Sequence, residues 1–375
     1  MHRFNQNQDA WGTRTLTVRA TDIAGNMFIL TQTQTFEPVS VTTIPPVQPS
    51  QISFMHGLNK ATVPLSGVTT QAKLADFTAE NGFGFWRYRF NLAQYLQNPS
   101  AYLQYILDTS RAADTSGTKL IYTNFLDGMA GYMGITPAAF WRAFWDNTSW
   151  SGKQLWDHLA DFMALIANLV KDKWSTLAYE FCNEPRAGVD SDHEKIKACQ
   201  EYVCNKIIAI DPDAWIVVPM RHKDYKDVRG FWDSSDILRT FPDITNGRRI
   251  YGPHTYFQSW DYTDPVTKVV KTATTQAGFD FVFNRVADVS AAKQAPVILG
   301  EWDCESYKTT PPDLAKMQTV INMAKDRGWP LALWAFDVLD ASHTCFDVNY
   351  DIQLPRNVWP LLLQAMSRTQ VGSPK

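Results

Sequence analysis

The pattern of apolar and polar positions predicts one organisation near the N-terminus and another in the rest of the chain. Residues 13–21 alternate between apolar and polar side chains, and residues 28–36 do so again after a turn that holds Gly25 and Asn26. Two alternating runs separated by a turn predict a β-hairpin, here within residues 1–36. Residues 37–51 contain four prolines, which predicts an extended linker.

From Ile52 onward, short apolar runs alternate with segments of helical period. The eight predicted strands cover residues 52–58, 85–90, 119–124, 176–181, 215–220, 249–254, 296–300 and 331–336. The predicted helices cover residues 69–81, 100–114, 154–172, 192–210, 234–240, 279–292, 313–327 and 357–367. In the third of these, one stripe is formed by Leu155, Leu159, Phe162, Ile166 and Leu169.

Eight strand-then-helix units over residues 52–367 predict an α/β fold, a (β/α)₈ TIM barrel followed by a short tail at 368–375. A doubly wound open sheet is the alternative. The sequence has no G-x-G-x-x-G after the first strand, and it has no G-x-x-x-x-G-K-[ST] anywhere. A nucleotide-binding fold would therefore lack its phosphate-binding loop.

Composition narrows the function classes. The net charge is −3 and no basic stripe is evident, so we expect no nucleic-acid partner. No apolar run approaches the roughly 18 residues of a membrane span, and the first residues have no apolar signal core. The chain has 14 Trp, 14 Tyr and 21 Phe, enough to fill a core and also to stack on sugar rings.

The five cysteines indicate no zinc ribbon or thioredoxin-type site, because no C-x-x-C pair occurs. Cys199 and Cys204 lie five apart on a predicted helix, which does not favour a disulfide. Cys304 and Cys345 either bridge two loops or are free buried thiols. We expect no metal: the D-V-N-Y-D run at 347–351 lacks the glycine and glutamate of a calcium loop.

Two glutamates follow predicted strands on different sides of the barrel. Glu184 ends the stretch Y-E-F-C-N-E-P after strand four, and Glu301 follows P-V-I-L-G at strand seven. The C-terminal ends of barrel strands form the active site, and Pro185 is expected to hold Glu184 in an extended conformation. Two carboxylates that face each other across a cleft are the chemistry of glycoside hydrolysis.

These motifs resemble clan A of the glycoside hydrolases, and most closely family 5. The resemblance rests on N-E-P after strand four, G-E after strand seven, G-F-G-F-W-R at 82–87, P-H-T-Y at 253–256 and a strand-eight tryptophan in L-A-L-W-A-F, in that family's order. It covers roughly residues 52–367.

The resemblance implies a role for each matching residue. Glu184 is the expected general acid/base and Glu301 the expected nucleophile of a retaining, double-displacement reaction. The expected substrate-binding residues are Arg87, Asn183, His254, Tyr256, Trp334 and Asn124.

Alternatives stay open for several of these residues. Arg89 can share the face of Arg87, one serving the site and the other a structural ion pair. His254 and Tyr256 can instead be satisfied core residues, and Trp334 can belong to the barrel core. Trp302, next to the nucleophile, is expected to point into the core.

One position departs from the family. A histidine is usual at the end of strand three, where this chain has Asn124 and Phe125, with Asp127 nearby. We therefore expect different hydrogen bonding at the cleavage subsite.

The long segment after strand three, residues 125–153, raises a second choice. Its aromatic residues either pack on the barrel or wall an extended sugar-binding cleft, and they are Phe140, Trp141, Phe144, Trp145 and Trp150. Trp260 and Tyr262, after strand six, raise the same choice.

The sequence therefore predicts a retaining, endo-acting hydrolase of a β-linked polysaccharide, without a cofactor and monomeric. An exo-acting β-glycosidase and a carbohydrate-binding protein on a hydrolase barrel are the alternatives. We expect it to act outside the cell or at its surface, because polysaccharides are extracellular. The hairpin, with its A-T-D-I-A-G-N turn, resembles the end of a bacterial immunoglobulin-like module, so we expect a longer multi-modular parent.

Overall fold

The structure is a computed structural model. It contains two compact units, Met1–Pro46 and Val47–Lys375. It describes residues 12–21, 27–36, 57–60, 78, 83–186, 192–219, 242–256, 260–263, 270–273, 276–303 and 314–333.

The first unit contains the predicted hairpin. Strand β1 (Gly12–Thr21) pairs antiparallel with β2 (Met27–Phe36). The register runs without a shift from Gly12 opposite Phe36 to Thr21 opposite Met27. The alternation of side chains therefore predicted both strands correctly, whereas the linker at 37–51 lies outside the described residues.

The second unit is built on one nine-stranded sheet. In spatial order its members are β10 (Arg249–Gly252), β9 (Ile216–Pro219), β8 (Thr176–Glu180), β5 (Lys119–Phe125), β4 (Phe85–Asn91), β3 (Gly57–Lys60), β15 (Leu331–Leu333), β14 (Leu299–Asp303) and β11 (His254–Tyr256). All of the pairings in this sheet are parallel.

The sheet closes on itself at Pro253, which divides one strand position into β10 and β11. The first half pairs with β9 and the second half with β14. The amide of Gly300 also donates to the carbonyl of Pro253 at 2.8 Å, which completes the seam. Eight strand positions with both edges joined form the predicted (β/α)₈ barrel.

Helices follow the strands. They are α1 (Leu92–Gln97), α2 (Pro99–Ser116), α3 (Asp127–Met133), α4 (Pro137–Trp145), α5 (Leu155–Val170), α6 (Asp192–Ile210), α7 (Gln276–Lys293) and α8 (Leu314–Asp326). Two short hairpins pair β6 (Ser149–Trp150) with β7 (Lys153–Gln154) and β12 (Trp260–Thr263) with β13 (Val270–Ala273).

Five of these helices match predicted ones, and α1, α3 and α4 were missed because each is short. Side-chain caps mark the starts of α1 and α4. The Asn91 side chain accepts from the amide of Ala93 at the start of α1, and Thr136 accepts from Ala139 at the start of α4. Pro99 and Pro137 occupy first-turn positions, where a proline costs no hydrogen bond.

Buried apolar residues form two clusters. The larger one lies between the strands and the helices, and α5 contributes Leu155, Leu159, Phe162 and Ile166 to it. The smaller one fills the inside of the barrel and consists of Phe85, Ile121, Leu177, Ala178, Val217, Ile250, Ile298 and Ala332. Any polar residue further along the inner face of a strand therefore lies at the barrel mouth.

Several predictions fall on other parts of the chain. The helices predicted at 234–240 and 357–367, and Cys304 with Cys345, lie outside the described residues. Cys199 and Cys204 are buried and form no disulfide with each other, as their helical spacing predicted, and Cys182 is also buried. Among the described helices, none is both long enough and apolar enough to cross a membrane.

Candidate active site

A polar layer lies directly above the inner core of the barrel. Three of its members each follow an inner core residue by two positions, which keeps them on the same strand face. They are Arg87 after Phe85, Thr123 after Ile121 and Glu180 after Ala178. Parallel pairing places Arg87 opposite Ile121 and Thr123 opposite Glu180, so the three side chains converge.

Arg87 is the centre of this layer and is 2% exposed. Its Nε and Nη2 donate to the two carboxylate oxygens of Glu180 at 2.7 and 2.8 Å. Its Nη1 donates to Oε1 of Glu301 at 2.8 Å, and Nη2 also donates to Oδ1 of Asn183 at 2.6 Å. Arg87 thus contacts the predicted nucleophile and one predicted substrate-binding residue directly.

Burial by itself lowers the pKa of Arg87. The negative charges of Glu180 and Glu301, and the hydrogen bonds to them, more than offset this, so the pKa of Arg87 lies above its ordinary value. The guanidinium is therefore a permanent positive charge in the barrel mouth.

A β-bulge directs Glu301 into the barrel. Leu299 and Trp302 both pack in the outer cluster although they are three residues apart, which strict alternation does not allow. The register with β15 shifts between these two residues, and the extra residue leaves Glu301 facing inward. Glu301 is 1% exposed, and Trp302 is fully buried in the outer cluster, as predicted.

His254 lies between the two predicted catalytic carboxylates. Its Nδ1 is 2.8 Å from Oε1 of Glu184 and 3.3 Å from Oε2 of Glu301. Because Nδ1 faces two carboxylates, it is the nitrogen that carries a hydrogen. His254 also sits beside Glu301 in the β11–β14 register.

The conformation of Glu184 differs from the prediction. Its φ is +43°, in the left-handed region, so the expected extended conformation is wrong. Pro185 disfavours a right-handed helical residue before it, and the chain turns through the left-handed region instead. The amide of Asn183, one residue earlier, donates to the carbonyl of Asn124 at 2.7 Å and anchors the turn to β5. The Glu184 side chain remains 17% exposed and so reaches the cleft.

The two carboxylates lie close together in the barrel mouth. One oxygen of Glu184, one oxygen of Glu301 and one nitrogen of His254 all lie within 4.8 Å of one another. Retaining enzymes hold their carboxyl groups about 5–5.5 Å apart, and inverting enzymes roughly 6.5–9.5 Å. The same three groups have the spacing of metal ligands, but two of them are the groups that a glycosidase needs free for its chemistry.

The end of strand three does not bring Asn124 into the site. The side chain of Phe125 lies on the face of Arg87 and Arg89, with its ring centre 5.9 and 4.4 Å from their guanidinium carbons. Alternation therefore turns Asn124 to the opposite face, where it is fully buried. Neither polar atom of its side-chain amide has a hydrogen-bond partner among the described residues.

Two further predicted residues are less completely placed. The backbone of Tyr256 pairs with Asp303 in β11, two residues beyond His254 and so on the same face, but its side chain lies outside what the structure describes. Trp334 lies outside the described residues altogether.

The aromatic residues after strand three mostly pack on the barrel. Phe140, Trp141, Phe144 and Trp145 are 7% exposed or less and belong to the outer cluster. The indole of Trp145 donates to the carbonyl of Arg186 at 2.5 Å and so ties α4 to the turn after Pro185. Trp150 is half-buried and stacks edge-on with Tyr132. For Trp260 and Tyr262 only the backbone, in the β12–β13 hairpin, is described.

The sequence reasoning missed Glu180 and Thr123. Glu180 accepts three hydrogen bonds, two from Arg87 and one from the Thr123 hydroxyl at 2.8 Å. A signal was present, because a glutamate inside the apolar run T-L-A-Y-E-F is rarely buried without a charged partner. A structural ion pair was considered for either Arg87 or Arg89. Arg87 makes such a pair, with Glu180.

Comparison with known proteins identifies the family to which the barrel is similar. The family model described as Cellulase (glycosyl hydrolase family 5) matches residues 55–339. This match begins after the N-terminal hairpin, whose likeness to an immunoglobulin-like module stays a prediction. No curated protein sequence matches the chain.

Solved structures with the same fold include several carbohydrate-active enzymes. Endo-glycoceramidase II from Rhodococcus sp. is 18% identical with a TM-score of 0.62, over 83% of this chain and 77% of that one. The catalytic domain of a Thermobifida fusca endoglucanase is 17% identical with a TM-score of 0.60, over 84% and 91%. A broad-specificity endoglucanase from Clostridium cellulovorans is 16% identical with a TM-score of 0.63, over 87% and 97%.

Proposed function

The chain belongs to glycosyl hydrolase family 5 and is a retaining glycoside hydrolase, and we propose that it cleaves a β-linked polysaccharide from within. The observation that carries this proposal is the spacing of two carboxylates from different strands. Oxygens of Glu184 and Glu301 lie within 4.8 Å of each other, with His254 between them and Arg87 bonded to Glu301.

In the first step, Glu184 donates its proton to the glycosidic oxygen while a Glu301 oxygen attacks the anomeric carbon. The bond between that carbon and the leaving oxygen breaks, and a covalent glycosyl–Glu301 bond forms. Glu184 is suited to the acid because it remains partly exposed, whereas Glu301 is buried against a permanent positive charge. That charge keeps Glu301 ionised and able to attack.

In the second step, Glu184 removes a proton from water, and the water oxygen attacks the anomeric carbon. The bond to Glu301 breaks, its carboxylate is restored, and the sugar leaves with its original configuration. The nearby negative charge of Glu301 favours the protonated form of Glu184 before the glycosyl bond forms. That influence disappears once the bond has formed, so the same residue serves as acid and then as base.

We assign substrate contacts to Asn183, Tyr256 and Trp334. Asn183 donates to the sugar 2-hydroxyl, which its position beside Glu184 favours. The resemblance to the family implies a hydrogen bond from the Tyr256 phenol to Glu301 and a place under the sugar for the Trp334 indole, and both side chains lie outside what the structure describes. We further propose that the enzyme acts outside the cell or at its surface.

The first experiment measures sugar release from a panel of β-linked glucan, mannan and xylan polymers. Because one enzyme of the same fold is an endo-glycoceramidase, the panel also includes a lactosyl lipid. Glu301→Gln is compared with the unmodified protein, and Glu194→Gln is the matched control because Glu194 is an exposed glutamate on α6. We expect release that Glu301→Gln abolishes and Glu194→Gln retains.

The products distinguish the modes of action. A rapid fall in polymer viscosity before small sugars appear identifies endo action, and release of short sugars alone identifies exo action. The first-formed anomer, read by proton NMR, should be β. No release from any substrate, with polysaccharide binding retained, would instead favour a carbohydrate-binding protein.

A further inference from the structure

A third carboxylate lies beneath the two proposed catalytic ones. Glu180 is 0% exposed and is the last residue of β8, four residues before Glu184. Its two oxygens accept from Nε and Nη2 of Arg87, and one of them also accepts from the Thr123 hydroxyl. No substrate atom can reach a carboxylate that is wholly enclosed in this way, so Glu180 acts through its neighbours.

The geometry of the guanidinium gives Glu180 control over Arg87. A guanidinium holds its N–H donors in a rigid plane, and two parallel bonds to one carboxylate fix both the position and the tilt of that plane. With the Nε–Nη2 edge held by Glu180, Nη1 is directed at Glu301 and the remaining hydrogen of Nη2 at Asn183. Glu180 thus sets the direction of the Arg87 bonds to the proposed nucleophile and to the proposed 2-hydroxyl ligand.

The charges lead to the same conclusion. Arg87 on β4 is one positive charge, shared by Glu180 on β8 and Glu301 on β14. Arg89 lies two residues along β4, and His254 on β11 joins Glu301 to Glu184. Arg87 donates two hydrogen bonds to Glu180 and one to Glu301. The positive charge of Arg87 therefore neutralises Glu301 only in part.

Folding alone gives no reason to keep this arrangement. Burying charges together costs desolvation free energy that their mutual attraction barely offsets. Replacing such a cluster with apolar residues often leaves the stability of the fold unchanged or increases it. The inner faces of the neighbouring strands are otherwise apolar just below this layer. A second carboxylate on Arg87 therefore points to a role in the reaction.

Resting on the retaining mechanism proposed above, we propose that Glu180 is a positioning residue. It orients Arg87 towards Glu301 and Asn183, and it limits how strongly Arg87 neutralises the nucleophile. Removal of its charge while its shape is kept would leave Arg87 bound mainly to Glu301. Both Glu301 and Glu184 would then ionise at lower pH, because one negative charge near them is gone.

The test compares Glu180→Gln with the unmodified enzyme. On a substrate that the unmodified enzyme cleaves, we expect both limbs of the pH profile of kcat/KM to move to lower pH by about half a unit or more. Glu194→Gln is the matched control, because it also removes one negative charge from a glutamate but lies exposed on α6. Its profile should stay in place even if its melting temperature falls.

A second readout does not depend on activity. In protein labelled with ¹³C at the glutamate side-chain carboxyls, the Glu301 signal is assigned by its loss in Glu301→Gln and is followed through a pH titration. We expect it to titrate at lower pH in Glu180→Gln. If Glu301 titrated at the same pH in a folded Glu180→Gln protein as in the unmodified protein, the proposal would be overturned. This holds whether or not any substrate has been found.

Glu180→Asp covers the case in which the glutamine variant does not fold. Aspartate keeps the charge but withdraws the carboxylate from Arg87 by one methylene, so the plane of Arg87 is no longer held. We expect kcat/KM to fall about tenfold or more with the pH limbs in place. Unchanged kcat/KM in a folded Glu180→Asp protein would contradict the positioning role.

Discussion

The imidazole of His254 lies directly against the α-carbon of Gly300. A Cβ at position 300 would be 3.3 Å from both Cδ2 and Nε2 of the ring, closer than most side-chain contacts. The same glycine donates its amide to Pro253, the residue before the histidine, so the two strands are locked together at this point. The glycine of the G-E motif therefore leaves room for the ring that contacts both proposed catalytic carboxylates.

This contact predicts the effect of Gly300→Ala. The methyl group must displace the imidazole by a few tenths of an ångström, and such a displacement should cost about tenfold in kcat/KM. The melting temperature should change little, because the backbone angle at Gly300 is not in the region that favours glycine. Steady-state kinetics on the preferred polymer and a thermal melt measure the two effects.

Gly131→Ala is the matched control for this variant. It lies in α3, where an added Cβ meets nothing within 4 Å. Alanine is the better helix former, so we expect unchanged activity and a small gain in stability. Equal kinetics in both variants would show that the position of the His254 ring does not matter.

The backbone of Glu184 predicts a second effect, on stability. A left-handed conformation costs a residue with a Cβ about 1–2 kcal/mol, and glycine avoids that cost. Glu184→Gly should therefore be more stable than Glu184→Ala by about 1 kcal/mol, although both lack the proposed acid. Chemical denaturation of the two variants measures the difference, and an alanine variant as stable as the glycine variant would show that the turn carries no strain.

A third prediction concerns Phe125, at the end of strand three. Its ring lies 4.4 Å from the guanidinium carbon of Arg89. A cation this close to a ring face is stabilised by about 0.5–2 kcal/mol. A double-mutant cycle of Arg89→Met and Phe125→Leu should return a coupling energy in that range. A coupling energy near zero would show that packing alone holds Phe125 in its buried position.

The sequence predicted the barrel and the carboxylate pair because those features depend on local patterns. Alternation and helical period identify strands and helices, and N-E-P and G-E follow two of those strands directly. What the sequence did not predict depends on three-dimensional detail. The bulge before Trp302 and the left-handed Glu184 are irregularities that no period encodes.

Partners distant in sequence were the other gap. The bond from Arg87 to Glu180 joins residues 93 positions apart, and only the parallel register of β4, β5 and β8 brings them together. The strict alternation of side chains along β5 also determines which of Asn124 and Phe125 faces the inside of the barrel. The side chain that shares the face of Arg87 belongs to Phe125, so the substrate-binding role expected of Asn124 is not supported by its place in the fold.

A last prediction concerns stability at different pH, at the other end of the barrel. The phenol of Tyr179 donates to Oδ2 of Asp211 at 2.9 Å, just after α6. Burial raises the pKa of Asp211, and the hydrogen bond from Tyr179 opposes this only in part. A carboxyl whose pKa is higher in the folded state than in the unfolded state contributes stability that is fully present at low pH and is lost as pH rises through the folded pKa.

Asp211→Asn should therefore gain stability relative to the unmodified protein as pH rises from about 4 towards neutrality. Asparagine keeps an oxygen for the Tyr179 phenol and cannot ionise, so the variant lacks the cost of a buried charge. Urea unfolding at a series of pH values measures the difference. Asp326→Asn, at an exposed aspartate in α8, is the control and should show no such trend. If the Asp211→Asn difference were constant with pH, ionisation of Asp211 would carry no cost, and the hydrogen bond from Tyr179 would fully compensate for its burial.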